Sequence, residues 1–343
     1  MLQCSFQPIK LYIISFAHVI ISADIGFSPR AAGNEAEPQI TFRQQRMSHS
    51  FPRVGETKDL LPNIENCEKK ASKMDLPTVV LVHGAWHTPA NYPSYTAALR
   101  AQGFTVHCPL LPSCNKSLPP TTSLQDDVNA VRELVSSLAA AGERILLIMH
   151  SYGGAVGTAA VDGLAYPVPT ASGGSEAGGR PGGVVHLLYL CAYILPPRTS
   201  IWDIVLEAGF DSIFDEYVHT ADDGSTFPAD PGLMFFAGDD SVSKDTIDSA
   251  LLSLVRFPRG ALTASVEGGS AWRSIPVTYV LTQKDYGVPR VYQDIMLSKV
   301  KGAGVELRTE DFDTCHSVFI TKEAEMVQLA VEAANDGRNC PMS

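Results

Sequence analysis

Arg144-Ile145-Leu146-Leu147-Ile148-Met149-His150-Ser151-Tyr152-Gly153-Gly154-Ala155-Val156 is the stretch on which the fold of this chain turns. Residues 145–148 form a short unbroken apolar run, the pattern of a strand buried on both faces. The run ends near Ser151, small residues follow at once, and residues 155–165 continue as a small-residue helix. Strand, tight turn and helix in that order expose the serine hydroxyl at the carboxyl end of the strand, as in a nucleophile elbow. The G-x-S-x-G spacing is kept except at its first position, where Met149 stands.

A serine hydroxyl is a weak nucleophile at neutral pH. It needs a base, a group that orients the base, and donors for the negative charge that develops on a carbonyl oxygen. Residues 77–83 (PTVVLVH) read as an earlier strand, and His83-Gly84-Ala85-Trp86 leaves its end. The backbone N–H of Ala85 is therefore expected to pair with that of Tyr152 as the oxyanion donors. Of the nine histidines, only His316 follows residue 219. It comes after a strand-like run at 304–308 and an acidic loop at 309–314, and before a C-terminal helix starting near Lys322; it is the expected base. Residues 276–282 (PVTYVLT) read as a strand from whose end Asp285 turns away, which makes Asp285 the expected orienting acid. Asp311 and Asp313 lie nearer His316 in sequence, but loop carboxylates so placed are more often solvated.

The order Ser151, Asp285, His316 is that of the α/β-hydrolase fold. Residues 74–334 resemble the α/β-hydrolase superfamily, nearest to the fungal α/β hydrolases often found with polyketide pathways and, more distantly, the plant methyl esterase and hydroxynitrile lyase group. The matching stretches are VLVHGAW (80–86), HSYGG (150–154), RPGGVVHLLYLCAYILP (180–196), the strand before Asp285, and CHSVFIT (315–321). The resemblance implies a doubly wound, mostly parallel sheet with a helical cap inserted at about 197–270. It further implies a serine hydrolase acting on an ester, thioester or lactone, without cofactor or metal. Two positions depart from the pattern: Met149 replaces the usual glycine, and Cys315 stands where many relatives have glycine.

The same scaffold also supports carbon–carbon bond hydrolysis, cyanohydrin cleavage or cyclisation. Hydroxynitrile lyases carry a lysine directly after the histidine and a threonine after the first motif strand. Those positions look like Ser317 and Gly84 here, which disfavours the lyase. A ligand-binding relative without catalysis is a third possibility, and the complete Ser151, Asp285, His316 set argues against it.

Composition fits a globular chain: 343 residues, 45% apolar and 18% charged, suffice for one large core. Net charge is −11; residues 1–73 hold nine basic and seven acidic side chains, so 74–343 carry −13. An acidic catalytic domain is a poor partner for nucleic acid or an anionic membrane, and the expected partner is a small molecule. Residues 11–21 (LYIISFAHVII), with Lys10 before and Ser22-Ala23 after, could form a signal peptide within 1–23, too short to span a membrane. Residues 24–73 have the composition of a disordered segment. Met74 directly precedes the family strand, so a start at Met74, with 1–73 a gene-model extension, is the competing expectation. The seven cysteines are odd in number and lack CxxC spacing. They read as reduced thiols and favour the cytoplasm, with secretion as the outcome if 1–23 acts as a leader. His83 and His87 do not read as a zinc pair, because a loop and a glycine separate them.

Other expected elements are a helix near 92–102, a strand at 105–110, a helix at 123–140 in which Asp126 and Asp127 serve the N-terminus, and a strand at 184–192. Residues 166–183 read as a Gly/Ser/Pro-rich surface insertion. Trp202, Phe210, Phe214, Phe235, Phe236 and Trp272 are the candidates to shape a substrate pocket under the cap.

Overall fold

The computed structural model describes residues 76–167 and 182–336, and two three-residue strands, Leu11–Ile13 and Ile21–Ala23, that pair antiparallel. The leader and extension expected within 1–73 otherwise lie outside the described residues, as does most of the 166–183 insertion. The chain divides into two units, Met1–Ala71 and Ser72–Ser343. The second unit carries the central sheet, the helices packed on it and the cap. Among the described residues no helix is long and apolar enough to cross a membrane.

Six parallel strands make the central sheet: β1 (Thr78–Val82), β2 (Val106–His107), β3 (Arg144–His150), β4 (Gly183–Leu190), β5 (Val277–Thr282) and β6 (Arg308–Phe312), in the order β6-β5-β4-β3-β1-β2. The chain runs from β1 out to the edge strand β2 and then back across to β3. The order therefore reverses between β1 and β3, and a parallel α/β sheet opens its ligand crevice at the carboxyl ends of the strands at such a point. The loops carrying Gly84–Trp86 and Ser151 leave these two neighbouring strands.

Alternation along the strands builds two apolar layers. Val80, Val82, Leu147 and Met149 face one way, against α2 (Leu124–Ala140) and α3 (Gly153–Ala160). Val79, Leu81, Leu146 and Ile148 face the other, against α1 (Pro93–Ala101) and the C-terminal helix Glu323–Asp336. Burying side chains of this size stabilises the fold by roughly 1.5–3 kcal/mol each. In α2, Ser123 caps the N-terminus in a capping box with Asp126, and Val128, Val131 and Val135 form the buried stripe.

The last strand lies further along the chain than its apolar pattern predicts. Residues 304–307 are outside it, and β6 takes in most of the stretch expected as an acidic loop, with Thr278 opposite Arg308 and Thr282 opposite Phe312. An edge strand has one flank in solvent, so it needs no apolar run. The strand expected at 105–110 shortens to β2.

Between Ala192 and Ile275 the chain builds the cap. It contains helices Ile201–Glu207, Phe214–Tyr217, Pro231–Phe236, Lys244–Leu252 and Arg259–Thr263, and also a three-stranded antiparallel sheet of Val218–Thr220, Ser225–Pro228 and Phe257–Pro258. Arg259 pins one edge. Its guanidinium lies 5.3 Å from both the Trp202 and Phe214 rings and pairs with Asp215 at 3.1 Å.

Candidate active site

Ser151 has φ +55°, a left-handed backbone that costs a non-glycine residue free energy and marks a forced turn. Its amide donates to the Leu190 carbonyl, and its own carbonyl accepts from Gly154 and Tyr193, both at 3.0 Å. The turn is thus held from both sides. Met149 is accommodated by α3: its side chain is fully buried, and a Cβ on Gly157 would stand 2.6 Å from its sulfur. Space usually left by a glycine in the strand is supplied here by a glycine in the helix packed on it.

The loop after β1 lies alongside. A Cβ on Gly84 would sit 3.0 Å from Ser151 Cβ. Trp86 also has positive φ, +61°, and cap contacts hold it there: its indole N–H donates to Thr226, and its carbonyl accepts from Val255 at 2.8 Å. Ala85 and Tyr152 are both buried, and neither amide donates to another described residue. Buried amides without partners are rare. Both residues line the cavity that holds Ser151.

Asp127 proves to be more than a helix-capping residue. It is fully buried and accepts from the Ser113 amide at 2.9 Å and the Tyr152 hydroxyl at 2.7 Å. Burial pushes its carboxyl pKa up, against those hydrogen bonds. It anchors the residue after the elbow serine. Its sequence signal, an aspartate on the apolar stripe beside Val128 and Val131, was open to reading as burial.

His316 Nδ1 and Asp285 Oδ2 are 2.8 Å apart. Asp285 is itself held: Oδ2 accepts from Thr282 Oγ1 at 2.7 Å, and Oδ1 accepts from the amides of Gly287 and Val288 at 2.8 and 2.7 Å. With Nδ1–H donating to this carboxylate, Nε2 is the nitrogen left to act as a base. Gly287 presses on the imidazole, for a Cβ there would lie 2.9 Å from ring carbons of His316. Phe235 stacks on the ring at 5.6 Å, tilted 27°. Asp311 instead pairs with Arg290 and Asp313 with Lys284, at the surface. Ser151 lines the same cavity as Asp285, but its hydroxyl makes no hydrogen bond in this conformation, with His316 or any other described residue. Such bonds commonly tighten only when substrate binds.

His150 ties the parts together. Its Nε2 donates to the His316 carbonyl at 3.2 Å, so Nδ1 accepts from the Tyr92 hydroxyl at 2.8 Å, and that oxygen accepts from the Gly84 amide at 3.2 Å. One buried chain of bonds runs from the loop after β1, through the elbow, to the loop carrying His316. Burial drives the His150 pKa well below its usual range, which keeps the ring neutral. Cys191 Sγ also donates to the His316 carbonyl, at 3.3 Å. The donor atoms of His150, Cys191 and His316 lie within 4.8 Å of one another. They do not suit a metal, because both His150 nitrogens are engaged and His316 Nδ1 is bonded to Asp285. His83 and His87 are buried in separate roles: His83 binds the Gly84 carbonyl and Leu111 amide, and His87 binds the Ala85 carbonyl.

The cavity above Ser151 has a volume of about 310 Å³, within reach of a small organic ligand. Of the aromatic candidates, Phe210 and Phe214 line it; Trp202, Phe235, Phe236 and Trp272 pack elsewhere. Sequence reading missed Trp86, Tyr193, Tyr217, Tyr286 and Tyr292, which also line it.

A parallel sheet with a serine on a strained strand-to-helix turn, and a histidine–carboxylate pair on loops from later strands, defines the α/β hydrolases as a class. The family model for the alpha/beta hydrolase family matches residues 79–328, and the chain belongs to that family. It is 25% identical to alpha/beta hydrolase nvfD of Aspergillus novofumigatus over 260 residues, covering 76% of this chain and 97% of that protein. It is 24% identical to methylesterase 18 of Arabidopsis thaliana over 270 residues, covering 75% and 96%. Among solved structures it is similar to a pyrethroid hydrolase from Sphingobium faniae JZ-2, with a TM-score of 0.56, 16% identity, and 76% and 97% coverage.

Proposed function

We propose that this hydrolase cleaves an ester, thioester or lactone of a small organic substrate through an acyl-enzyme on Ser151, in a secondary-metabolite pathway of the polyketide kind. The observation that carries the reading is the pair of buried, unpartnered amides of Ala85 and Tyr152 beside Ser151. Two donors without a protein partner beside the serine are the groups an oxyanion would satisfy. His316 Nε2 takes the Ser151 proton as Oγ attacks the carbonyl carbon, and the carbonyl electrons move onto the oxygen held by those amides. Collapse expels the leaving group, which takes the proton from His316. Water then attacks the acyl-enzyme by the same route and returns Oγ–H to Ser151. Asp285 fixes the imidazole tautomer and stabilises its cationic form. An arylesterase panel graded by acyl length, with fluorophosphonate labelling, tests the scheme. Ser151→Ala is expected to abolish labelling and to lower kcat by about 10⁴-fold or more. Full ester turnover by that variant overturns it.

A further inference from the structure

Seven tyrosines are buried among the described residues: Tyr92, Tyr95, Tyr152, Tyr189, Tyr193, Tyr279 and Tyr292. Five of their hydroxyls have protein partners, namely His150 for Tyr92, Met326 carbonyl for Tyr95, Asp127 for Tyr152, Thr158 for Tyr189 and Ala192 carbonyl for Tyr279. Tyr193 and Tyr292 have none among the described residues, although each is only 6% exposed. Both line the cavity that holds Ser151. A buried phenol normally finds a partner, but neither of these two oxygens is among the fully buried side-chain atoms left without one, so each keeps accessible surface for a ligand to meet. Five hydroxyls are spent on the protein, and the two without a protein partner belong to residues that line the cavity.

The other walls narrow the ligand further. Among the described residues no lysine, arginine or histidine lines this cavity, and its one carboxyl, Asp285, is committed to His316. An anion entering would lose its water and gain no cation. The cap side, with Val205, Phe210, Phe214 and Leu262, is apolar apart from the Tyr217 hydroxyl.

We propose that the Tyr193 and Tyr292 hydroxyls form a donor subsite for a second, uncharged acceptor oxygen on the substrate, such as a ketone or ether, so that the enzyme selects neutral esters carrying such an oxygen. This rests on the cavity being the substrate site of the proposed hydrolase. Tyr193 is fixed for the role, since its backbone amide donates to the Ser151 carbonyl. The subsite is therefore indexed to the nucleophile. Burial holds both phenols protonated: Tyr292 is pushed up to about 12, and Tyr193 well above its usual range.

Calorimetric titration of the Ser151→Ala variant tests binding apart from turnover. The probes are methyl heptanoate, its 3-, 4-, 5- and 6-oxo analogues, and the monomethyl ester of heptanedioic acid as the anion. At least one oxo ester should bind about five- to tenfold more tightly than the plain ester, and the anion more weakly than both. Adding Tyr193→Phe or Tyr292→Phe should bring the oxo-to-plain ratio towards one. Removing an unpartnered hydroxyl should leave the melting temperature level or raise it, whereas Tyr152→Phe, which loses the bond to Asp127, should lower it. No preference for any oxo ester, a preference that survives both phenylalanine variants, or tight binding of the anion overturns the subsite. Fluorophosphonate labelling of the wild type separates this from the catalytic reading: absent labelling with an intact oxo preference removes the nucleophile and leaves the subsite standing.

Discussion

The floor of the cavity and its cap-side wall are built on opposite terms. On the floor, Asp285 has four hydrogen-bonding contacts, His150 bridges Tyr92 and the His316 carbonyl, and Asp127 holds Tyr152. What is left over is the set a reaction would use: two amides, one hydroxyl and one ring nitrogen. Facing it, the cap offers mostly apolar side chains, with Tyr217 the exception, held by packing and by Arg259. A floor whose groups are already oriented spares the transition state that cost. A wall with few polar commitments can change its shape with little effect on the floor. Mechanism and selectivity should therefore separate on mutation.

The largest effect expected on the floor is from Asp285→Asn. An asparagine amide would donate to His316 Nδ1 and leave the proton on Nε2, the wrong tautomer for a base. A loss near 10⁴-fold in kcat is expected, with the fold retained, measured by ester turnover alongside circular dichroism. Loss below tenfold would detach Asp285 from the chemistry. Gly287→Ala should come next. Its Cβ has no room beside the His316 ring, and a displacement near 1 Å costs about 100-fold in rate. A near wild-type kcat for this variant would show that the base tolerates movement, and the floor would not be rigid.

The floor is also the part that was legible in sequence. Ser151, Asp285 and His316 each follow an apolar run that reads as a strand, and their order along the chain carries the fold. The Tyr92–His150 chain was not legible, because a polar residue buried with a partner looks in sequence like one left at the surface, and for Asp127 the apolar stripe hinted at burial but not at its partners, Ser113 and Tyr152. The edge strand β6 was displaced in the reading because charged residues such as Glu310 and Asp311 hide it. On the wall, Phe210 and Phe214 could not be told from Phe235 or Trp272: each is aromatic, and only the tertiary path of the insertion decides which faces the cavity.

Acid should act through the buried histidines of the sheet and its loops. His83, His87 and His186 are held neutral by burial, with pKa values lowered to about 4, 3 and 4, and His150 is lowered as well. The unfolded chain binds protons at these rings below about pH 6.5 while the folded chain does not. Stability is therefore full above that pH and falls as pH drops towards about 4. Each ring contributes up to about 1.4 kcal/mol per pH unit inside the window. The urea midpoint should fall steadily from pH 7 to pH 5. A flat or rising midpoint there would mean that these rings are accessible to protons in the folded state.

The smallest effect belongs to the wall. Phe214 lines the cavity and meets Trp202 edge-on at 5.2 Å. Phe214→Leu removes ring volume from the wall without touching any group on the floor. A hydrophobic wall discriminates by about 1–3 kcal/mol per methylene. The expected result is a several-fold change in the ratio of kcat/KM between long and short acyl esters, with bulky esters gaining and short ones losing. Changes of opposite sign can arise only if the residue is read through the substrate. If kcat instead falls equally for every ester and the length ratio stays put, Phe214 acts on the chemistry, and floor and wall are one unit.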